Sequence, residues 1–327
     1  MTSKDESSER VKLDEILKSL FNVSNKVLIT MMNSLFQENF DIETTEVSFA
    51  SNEFVDDEYN VLRGDLFLRL SEEEKAHHYH IELQTLNDDS MVIRMLEYGI
   101  NKAKEIAKYE GEEDETVFYI PKQLVIFIEE NPGIKDEIKL KLVFPDGQEV
   151  KYIVPVMKYW EYSQEDILEQ KLYPLLPLQV FKLRYQMEKI KNRKTHTEEE
   201  LRKLIKEAQQ IVESISKEAA RLFKVQEIDG EDLHKILLAN AELFRYLNSR
   251  YVKDEKLNKE VLSMTKTLYD PAVEEKGRRE GRLEGKLEGK LEAARNALKK
   301  GLSIEDIADI TGLDLEAVEK LKKELAN

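Results

Sequence analysis

The order strand, helix, strand over residues 78–130 limits the possible folds of this chain more than any other feature. HYHIELQTL, residues 78–86, alternates polar and apolar side chains with the period of two that is typical of a half-buried strand. Residues 88–111 repeat apolar side chains every three or four positions, which predicts a helix. QLVIFIEE, residues 123–130, is an apolar run of the kind found in a sheet that is covered on both faces. A crossover of this kind normally makes its two strands parallel neighbours.

Further segments extend this predicted sheet and add helices to it. Residues 60–70, NVLRGDLFLRL, alternate as well and are predicted to pair with residues 78–86 as a hairpin. Residues 44–51 indicate one more strand, and residues 139–157 indicate a second hairpin around a Pro-Asp-Gly turn. Residues 13–36 have helical periodicity. The predicted fold class is therefore α/β with a mixed sheet.

Composition excludes several classes of protein. The 327 residues carry 50 basic and 66 acidic side chains, a formal net charge of −16, which excludes nucleic-acid binding through a global positive charge. The chain has no cysteine, so it has no disulfide, thiolate metal site or cysteine nucleophile. It contains no run of 18 apolar residues, and its polar first residues do not resemble a secretory signal. We therefore expect a cytoplasmic protein without a membrane segment.

Two carboxylates on the predicted hairpin are the strongest candidates for chemistry. Asp65 and Glu82 lie on adjacent strands within apolar sequence, and Gln84 projects from the same face as Glu82. Two convergent carboxylates form an oxygen-rich site that suits Mg²⁺ or Mn²⁺. The alternative is a surface hairpin whose acids face water, but carboxylates in half-buried strands need partners or a metal.

Four segments resemble one known family. RGDLFLRL (63–70), HIELQ (80–84) and MVIRMLEYG (91–99) are similar to the PD-(D/E)XK nuclease motifs of the Rpn family of recombination-promoting nucleases and putative transposases. The Gly-punctuated tail of residues 277–321 is similar to the tail common in that family. The resemblance covers most of the chain and implies a restriction-endonuclease-like core, followed by an all-α region and a helical C-terminal tail.

The resemblance also implies roles for the three site residues. Asp65 matches the family's metal-binding acid and Glu82 its second acid, with Mg²⁺ or Mn²⁺ as the cofactor. Gln84 stands where most nucleases of the superfamily have lysine, and the Rpn family commonly has glutamine there. A lysine can stabilise negative charge, whereas glutamine can only orient water through hydrogen bonds. Asp65, Glu82 and Gln84 are therefore the expected catalytic residues of a DNA endonuclease whose cuts promote recombination.

Other residues are candidates for completing the site. Arg94 and Tyr98 lie four residues apart on one helix face, where Arg94 could grip a phosphate group. The alternative is that Arg94 pairs with Glu97 or with another neighbouring acid. Glu46 is the preferred third metal ligand, ahead of Glu53, because it lies in a strand pattern.

The histidines of the second strand have two interpretations. His78 and His80 could act as proton shuttles beside the carboxylates. The simpler interpretation is an alternating strand with surface histidines. The chain has no histidine spacing typical of zinc, so no zinc site is predicted.

The remaining regions carry fewer chemical signals. Residues 181–194 hold six basic residues and one acid, which indicates either a nucleic-acid contact or the solvated end of a helix. Glycines and leucines repeat every four residues over 277–292, which indicates either a mobile tether or pairing of copies into a homo-oligomer. The predicted divisions are a flexible N-terminus (1–12), a nuclease-like domain (13–180), a helical region (181–270), a Gly-punctuated repeat (271–294) and a small helix-turn-helix-like tail (295–327).

Three functions remain open at this point. The first is a Mg²⁺-dependent DNA endonuclease with weak, metal-dependent DNA binding. The second is a nuclease fold that has little or no activity and serves in oligomeric assembly or DNA binding. The third is an RNase, because no base-stacking motif separates DNA from RNA.

Overall fold

The computed structural model forms two compact units, residues 1–269 and residues 270–327, and each is described by itself. Within the described residues, no helix is both long enough and apolar enough to cross a membrane. The structure describes residues 13, 15–49, 53–55, 61–63, 66–72, 75–85, 88–106, 108–110, 115–193, 198–268, 289–291, 293–298 and 302–324.

A mixed sheet organises the first unit, and among the described residues it has six strands in the order β1-β4-β5-β8-β10-β9. The hairpin β4–β5 is antiparallel, β8 pairs parallel with both β5 and β10, and β9–β10 is a second antiparallel hairpin. These pairings confirm the predicted mixed sheet, both hairpins and the parallel crossover. The strands of this sheet are β1 (Glu46–Phe49), β4 (Leu66–Glu72), β5 (Lys75–Gln84), β8 (Lys122–Phe127), β9 (Glu137–Val143) and β10 (Glu149–Lys158).

Two short ribbons accompany this sheet. One pairs β2 (Glu53–Val55) with β3 (Val61–Arg63), and the other pairs β6 (Lys108–Glu110) with β7 (Glu115–Val117). Both ribbons are antiparallel.

Alternation along the central strands separates two cores, one on each face of the sheet. Leu68 and Ile81 belong to the larger core, together with the helices of the first unit. Phe67 and Val125 face the other way and pack under the helix α2 (Met91–Glu105). The apolar run at 123–130 therefore supplies side chains to both faces, as its sequence predicts.

The first predicted helix, residues 13–36, is interrupted. Residues 15–19 are helical, and a new helix, α1 (Asn25–Phe36), begins after Ser24. Ser24 is its N-cap and accepts a hydrogen bond from the Val27 N–H. The Ser24 N–H and hydroxyl in turn donate to Asp232, 208 residues later in the chain. A distant partner therefore stabilises the break, which periodicity alone cannot indicate.

Helix α2 ends at Glu105 and not near Gly111, where its sequence pattern ends. Lys102 and Lys104 lie in its last turn, where basic side chains favour the helix C-terminus. The next described residues, Lys108–Glu110, form β6 and pair with β7. Residues 108–110, which the sequence pattern predicts as the last turn of the helix, therefore form a strand. Gly111 lies outside the described residues.

Helices follow the sheet and share its larger core. Leu178 and Phe181 are fully buried in this core, as are Ile205 and Phe244. The structure thus joins the sheet and the helical region through one apolar interior, and the domain boundary near residue 180 stays a prediction. The helices are α3 (Gln164–Glu169), α4 (Leu178–Phe181), α5 (Leu183–Lys191), α6 (Glu198–Lys224), α7 (Gly230–Tyr251) and α8 (Glu255–Leu268), with short 3₁₀ turns at Tyr159–Glu161 and Tyr173–Leu175.

The second unit is a small helical module. Helices α9 (Ile304–Thr311) and α10 (Leu315–Glu324) flank Gly312, whose φ of 61° places it in the left-handed region that favours glycine. Its core contains Ala294, Ile307 and Val318. The two short helices around Gly312 agree with the prediction, whereas residues 271–288 of the Gly-punctuated repeat lie outside the described residues.

Candidate active site

Glu82 is a buried carboxylate in the last third of β5, with only 2% of its side chain exposed. Its Oε1 accepts a hydrogen bond from Arg94 Nη2 at 2.9 Å and a longer one from Gln84 Nε2 at 3.4 Å. Its Oε2 lies 3.2 Å from His80 Nε2. Glu82 is therefore the point where a strand amide, a helix guanidinium and a buried imidazole converge.

Arg94 reaches this carboxylate from the first turns of α2. Its Nη2 binds Glu82 while its Nη1 donates to Asp88 Oδ2 at 3.1 Å. Ser90 donates to Asp88 through both its hydroxyl and its N–H, and these bonds together with Arg94 lower the pKa of Asp88. The Arg94 side chain remains 31% exposed, so its guanidinium joins the buried Glu82 to the surface.

His80 belongs to a chain of buried polar side chains behind Glu82. Gln123 Nε2 donates to the Met95 carbonyl at 2.7 Å and lies 3.1 Å from His80 Nδ1. Tyr152 donates its hydroxyl to Gln123 Oε1. The His80 ring is fully buried and stacks on Phe67 with centroids 4.1 Å apart, and burial lowers the pKa of His80. The interpretation of His80 as a surface histidine is therefore wrong.

Three of the predicted site residues, Glu82, Gln84 and Arg94, meet in the structure. Asp65 lies outside the described residues; in sequence it directly precedes Leu66, which pairs with Ile81 next to Glu82. The predicted alternative in which Arg94 binds a neighbouring acid agrees with its contacts to Glu82 and Asp88, although Glu97 is not the partner found.

Glu46 and Tyr98 do not join these residues in the predicted way. Glu46 is opposite Ser71, five positions along β4 from Leu66, which is about 16 Å at the usual rise of a strand. Glu46 is thus at the far end of the hairpin, and we remove it from the site. Tyr98 is 2% exposed, its ring meets His80 edge-on at 5.2 Å, and it contacts Arg94, whose guanidinium carbon lies 5.9 Å from the ring centre. The predicted phosphate contact is left to Arg94 alone.

The donor atoms at Glu82 fit a hard divalent cation by type. A carboxylate and a side-chain amide supply the oxygen ligands that Mg²⁺ prefers. Within the part of the chain that the structure describes, no three acidic or histidine side chains group into a metal site. A metal at Glu82 would therefore need ligands from outside the described residues, and Asp65 is the candidate that the sequence predicts. Arg94 is the cation that balances the Glu82 carboxylate in the metal-free protein.

An open groove of about 1060 Å³ borders the start of α2. Asp88, the second partner of Arg94, lies in its wall. Three lysines and four acidic residues line it. Lys139 binds Glu137 and Lys158 binds Asp136, each at 2.6 Å. The groove is therefore balanced in charge and does not by itself attract a polyanion.

Two of the six basic residues in the run 181–194 are used inside the protein. Arg184 pairs with Glu129, and both side chains are largely buried. Lys182 donates to the Tyr162 carbonyl. These contacts favour the structural interpretation of the run over a nucleic-acid contact.

Sequence reasoning missed Gln123, Tyr152 and Gly99. The apolar run 123–130 begins with a polar residue, Gln123. A polar side chain at the start of a buried strand was the signal that could have identified it. Gly99 lets α2 approach β8 closely, because an added Cβ would lie 3.1 Å from Ile120 Cγ2 and 3.3 Å from Gln123 Oε1. A glycine in mid-helix, which costs about 1 kcal/mol relative to alanine, was its signal.

We expect Gly99→Ala to lower the free energy of unfolding by about 1 kcal/mol, because overpacking outweighs the gain in helix propensity. Urea unfolding followed by circular dichroism measures the change. Gly289→Ala is the matched control, since its new Cβ would meet no atom within 4 Å. A stability for Gly99→Ala equal to or above that of the unmodified chain would contradict the close approach.

Comparison with known proteins adds no neighbour. No protein family, no curated protein and no solved structure matches this chain.

Proposed function

We propose that this protein is a Mg²⁺- or Mn²⁺-dependent DNA endonuclease of the PD-(D/E)XK type, similar to the Rpn nucleases. The observation that carries the proposal is the buried Glu82 carboxylate, contacted at one oxygen by both Gln84 and Arg94. Burying a carboxylate costs free energy unless it is paired or binds a metal, and perturbed buried carboxylates are typical of functional sites. Metal binding beside a phosphate-binding arginine accounts for the burial of Glu82.

Each residue has a defined task in this proposal. A bound Mg²⁺ would polarise the scissile phosphate and lower the pKa of a coordinated water. Glu82 and Asp65 would hold the cation, and Gln84 would orient the attacking water through its amide group. Arg94 would bind the phosphate, because a guanidinium has five N–H donors and the contacts to Glu82, Asp88 and Tyr98 leave others available.

Electrostatics make this a weak binder of nucleic acid. The net charge of −16 repels a polyanion, and the charge of Arg94 is already shared between two carboxylates. Binding should therefore require the divalent cation and should weaken steeply as salt is added.

We include in the proposal a cytoplasmic location and homo-oligomers formed through the repeat at 271–294.

A plasmid-nicking assay with Asp65→Ala tests the proposal. The unmodified chain should convert supercoiled plasmid to open circles with Mg²⁺ or Mn²⁺ and should stop when EDTA removes the metal. We expect Asp65→Ala to lose at least about 100-fold in rate, because loss of a metal ligand removes several kcal/mol of transition-state stabilisation. Asp146→Ala, at the exposed tip of the β9–β10 hairpin, is the control and should cut normally. Equal rates for Asp65→Ala and the unmodified chain would contradict the assignment of Asp65 as a metal ligand.

A non-catalytic scaffold is the second candidate, and one observation favours it. Arg94 and His80 already engage both oxygens of Glu82, as a purely structural ion pair would. Calorimetry separates the two functions, because a scaffold would bind no Mg²⁺ while its oligomers remained intact. Replacing plasmid by a single-stranded RNA in the same assay identifies an RNase.

A further inference from the structure

The orientation of the Gln123 amide determines which ring nitrogen of His80 carries the proton. The Met95 carbonyl can only accept, so the Gln123 atom at 2.7 Å from it must be the amide nitrogen. Tyr152 donates to the other side of the amide, at Oε1, which agrees with this orientation. The same amide nitrogen faces His80 Nδ1 at 3.1 Å. Nδ1 is therefore an acceptor, and in the neutral ring Nε2 carries the proton.

This tautomer directs His80 towards Glu82. Its Nε2–H donates to Glu82 Oε2, 3.2 Å away, while Arg94 and Gln84 contact Oε1. The two carboxylate oxygens thus have separate surroundings, one facing the buried imidazole and one facing the amide and the partly exposed guanidinium.

We propose that His80 is a positioning residue that turns Glu82 so that Oε1 faces the substrate side, with Gln123 and Tyr152 holding the imidazole in place. The inference rests on the proposed function, in which Glu82 holds the metal. Positioning partners of this kind typically change metal affinity or activity by about 10- to 100-fold when they are removed.

Packing prevents the imidazole from turning away. Phe67 stacks on it with ring planes 4° apart, and Tyr98 meets it edge-on at 5.2 Å. An apolar side chain would fill this space without burying polar groups, and a half-satisfied polar chain is costlier than an apolar core. The series of hydrogen-bonded side chains from Tyr152 through Gln123 to His80 ends on Glu82, one of the two carboxylates of the proposed metal site.

Three variants of the full chain test the inference in the Mg²⁺-dependent nicking assay. His80→Leu removes the donor but keeps an apolar filler, and His80→Gln keeps an N–H donor that takes the place of Nε2–H. His77→Leu is the matched control, because His77 is exposed on the same strand. We expect His80→Leu to lose about 10- to 100-fold in kcat with KM within about twofold, and His80→Gln to recover most of that loss. His77→Leu should behave as the unmodified chain.

A second readout is independent of catalysis. Ring ¹⁵N shifts of the metal-free protein should show His80 with an unprotonated Nδ1 and a protonated Nε2. The His80 signals are those, among the five histidines, that disappear in His80→Gln.

The outcomes separate the two proposals. A kcat for His80→Leu equal to that of the unmodified chain, or a proton on Nδ1, overturns the positioning role. An equal loss in His80→Leu and His80→Gln also overturns it, because the donor would then be irrelevant. An unmodified chain that shows the expected tautomer but no metal-dependent cleavage overturns the proposed function instead.

Discussion

Glu82→Gln is expected to lower the rate of metal-dependent cleavage by about a thousandfold, because it removes a charge worth several kcal/mol in the transition state. Glutamine keeps the shape of the side chain and, with its oxygen in the place of Oε1, still accepts a hydrogen bond from Arg94. Its NH2 group then faces His80 Nε2 in place of Oε2, which costs about 1–3 kcal/mol, less than the usual stability of a folded protein. Arg94 also keeps its contact to Asp88, 3.1 Å away. The fold should therefore survive while metal binding is lost.

Initial rates of plasmid nicking and calorimetric titration with Mn²⁺ measure the two effects separately. Glu97→Gln is the matched control, since Glu97 is exposed on α2 and its loss also removes one carboxylate charge. Cleavage by Glu82→Gln at the rate of the Glu97→Gln control would show that Glu82 has only a structural role.

The second large effect concerns stability. Asp232, only 1% exposed, accepts bonds from the Ser24 N–H at 2.6 Å, the Ser24 hydroxyl at 2.7 Å and the Asp229 N–H at 3.2 Å. One carboxylate thus completes the capping box of α7 and also binds the N-cap residue of α1. We expect Asp232→Ala to lower the free energy of unfolding by about 3 kcal/mol, because it removes a buried acceptor from three hydrogen bonds and leaves the partly buried Ser24 donors without their partner.

Urea unfolding at neutral pH measures this loss. Asp166→Ala is the matched control, since Asp166 occupies the same position of a capping box at Ser163, at the start of the short surface helix α3. Its loss should be clearly smaller, because water replaces the missing acceptor. Equal losses for the two variants would mean that the contact between Asp232 and Ser24 contributes nothing.

Local patterns were sufficient for much of the sheet. Alternation predicts that Leu68 shares a face with Leu66 and that Ile81 shares a face with Leu83, and all four lie in the larger core. The helix between 78–86 and 123–130 predicts the parallel pairing. Both predictions need only the geometry of strands and the handedness of crossovers.

Contacts between distant residues account for what local patterns missed. The break at Ser24 depends on Asp232, and the burial of His80 depends on Gln123, 43 residues later. Glu46 is predicted as a third metal ligand only from its strand pattern, and the register of β1 on β4, which puts it opposite Ser71, has no local signal. Alternation predicts the face on which a side chain lies, but not which element covers that face.

The same distinction applies to the site. Glu82 and Gln84 share a face because they are two residues apart, which is a local property. The contact between Arg94 and Glu82 requires α2 to lie close to the sheet. Gly99 permits this short separation because it has no side chain.

A crystal structure with Mn²⁺, with the ion located by its anomalous scattering, tests the central claim most directly. The proposed function predicts one peak about 2.1 Å from Glu82 Oε1, with a carboxylate oxygen of Asp65 as a second ligand. Crystals soaked in Mn²⁺ that show no peak there, with Arg94 still paired to Glu82 as in the metal-free protein, would contradict it.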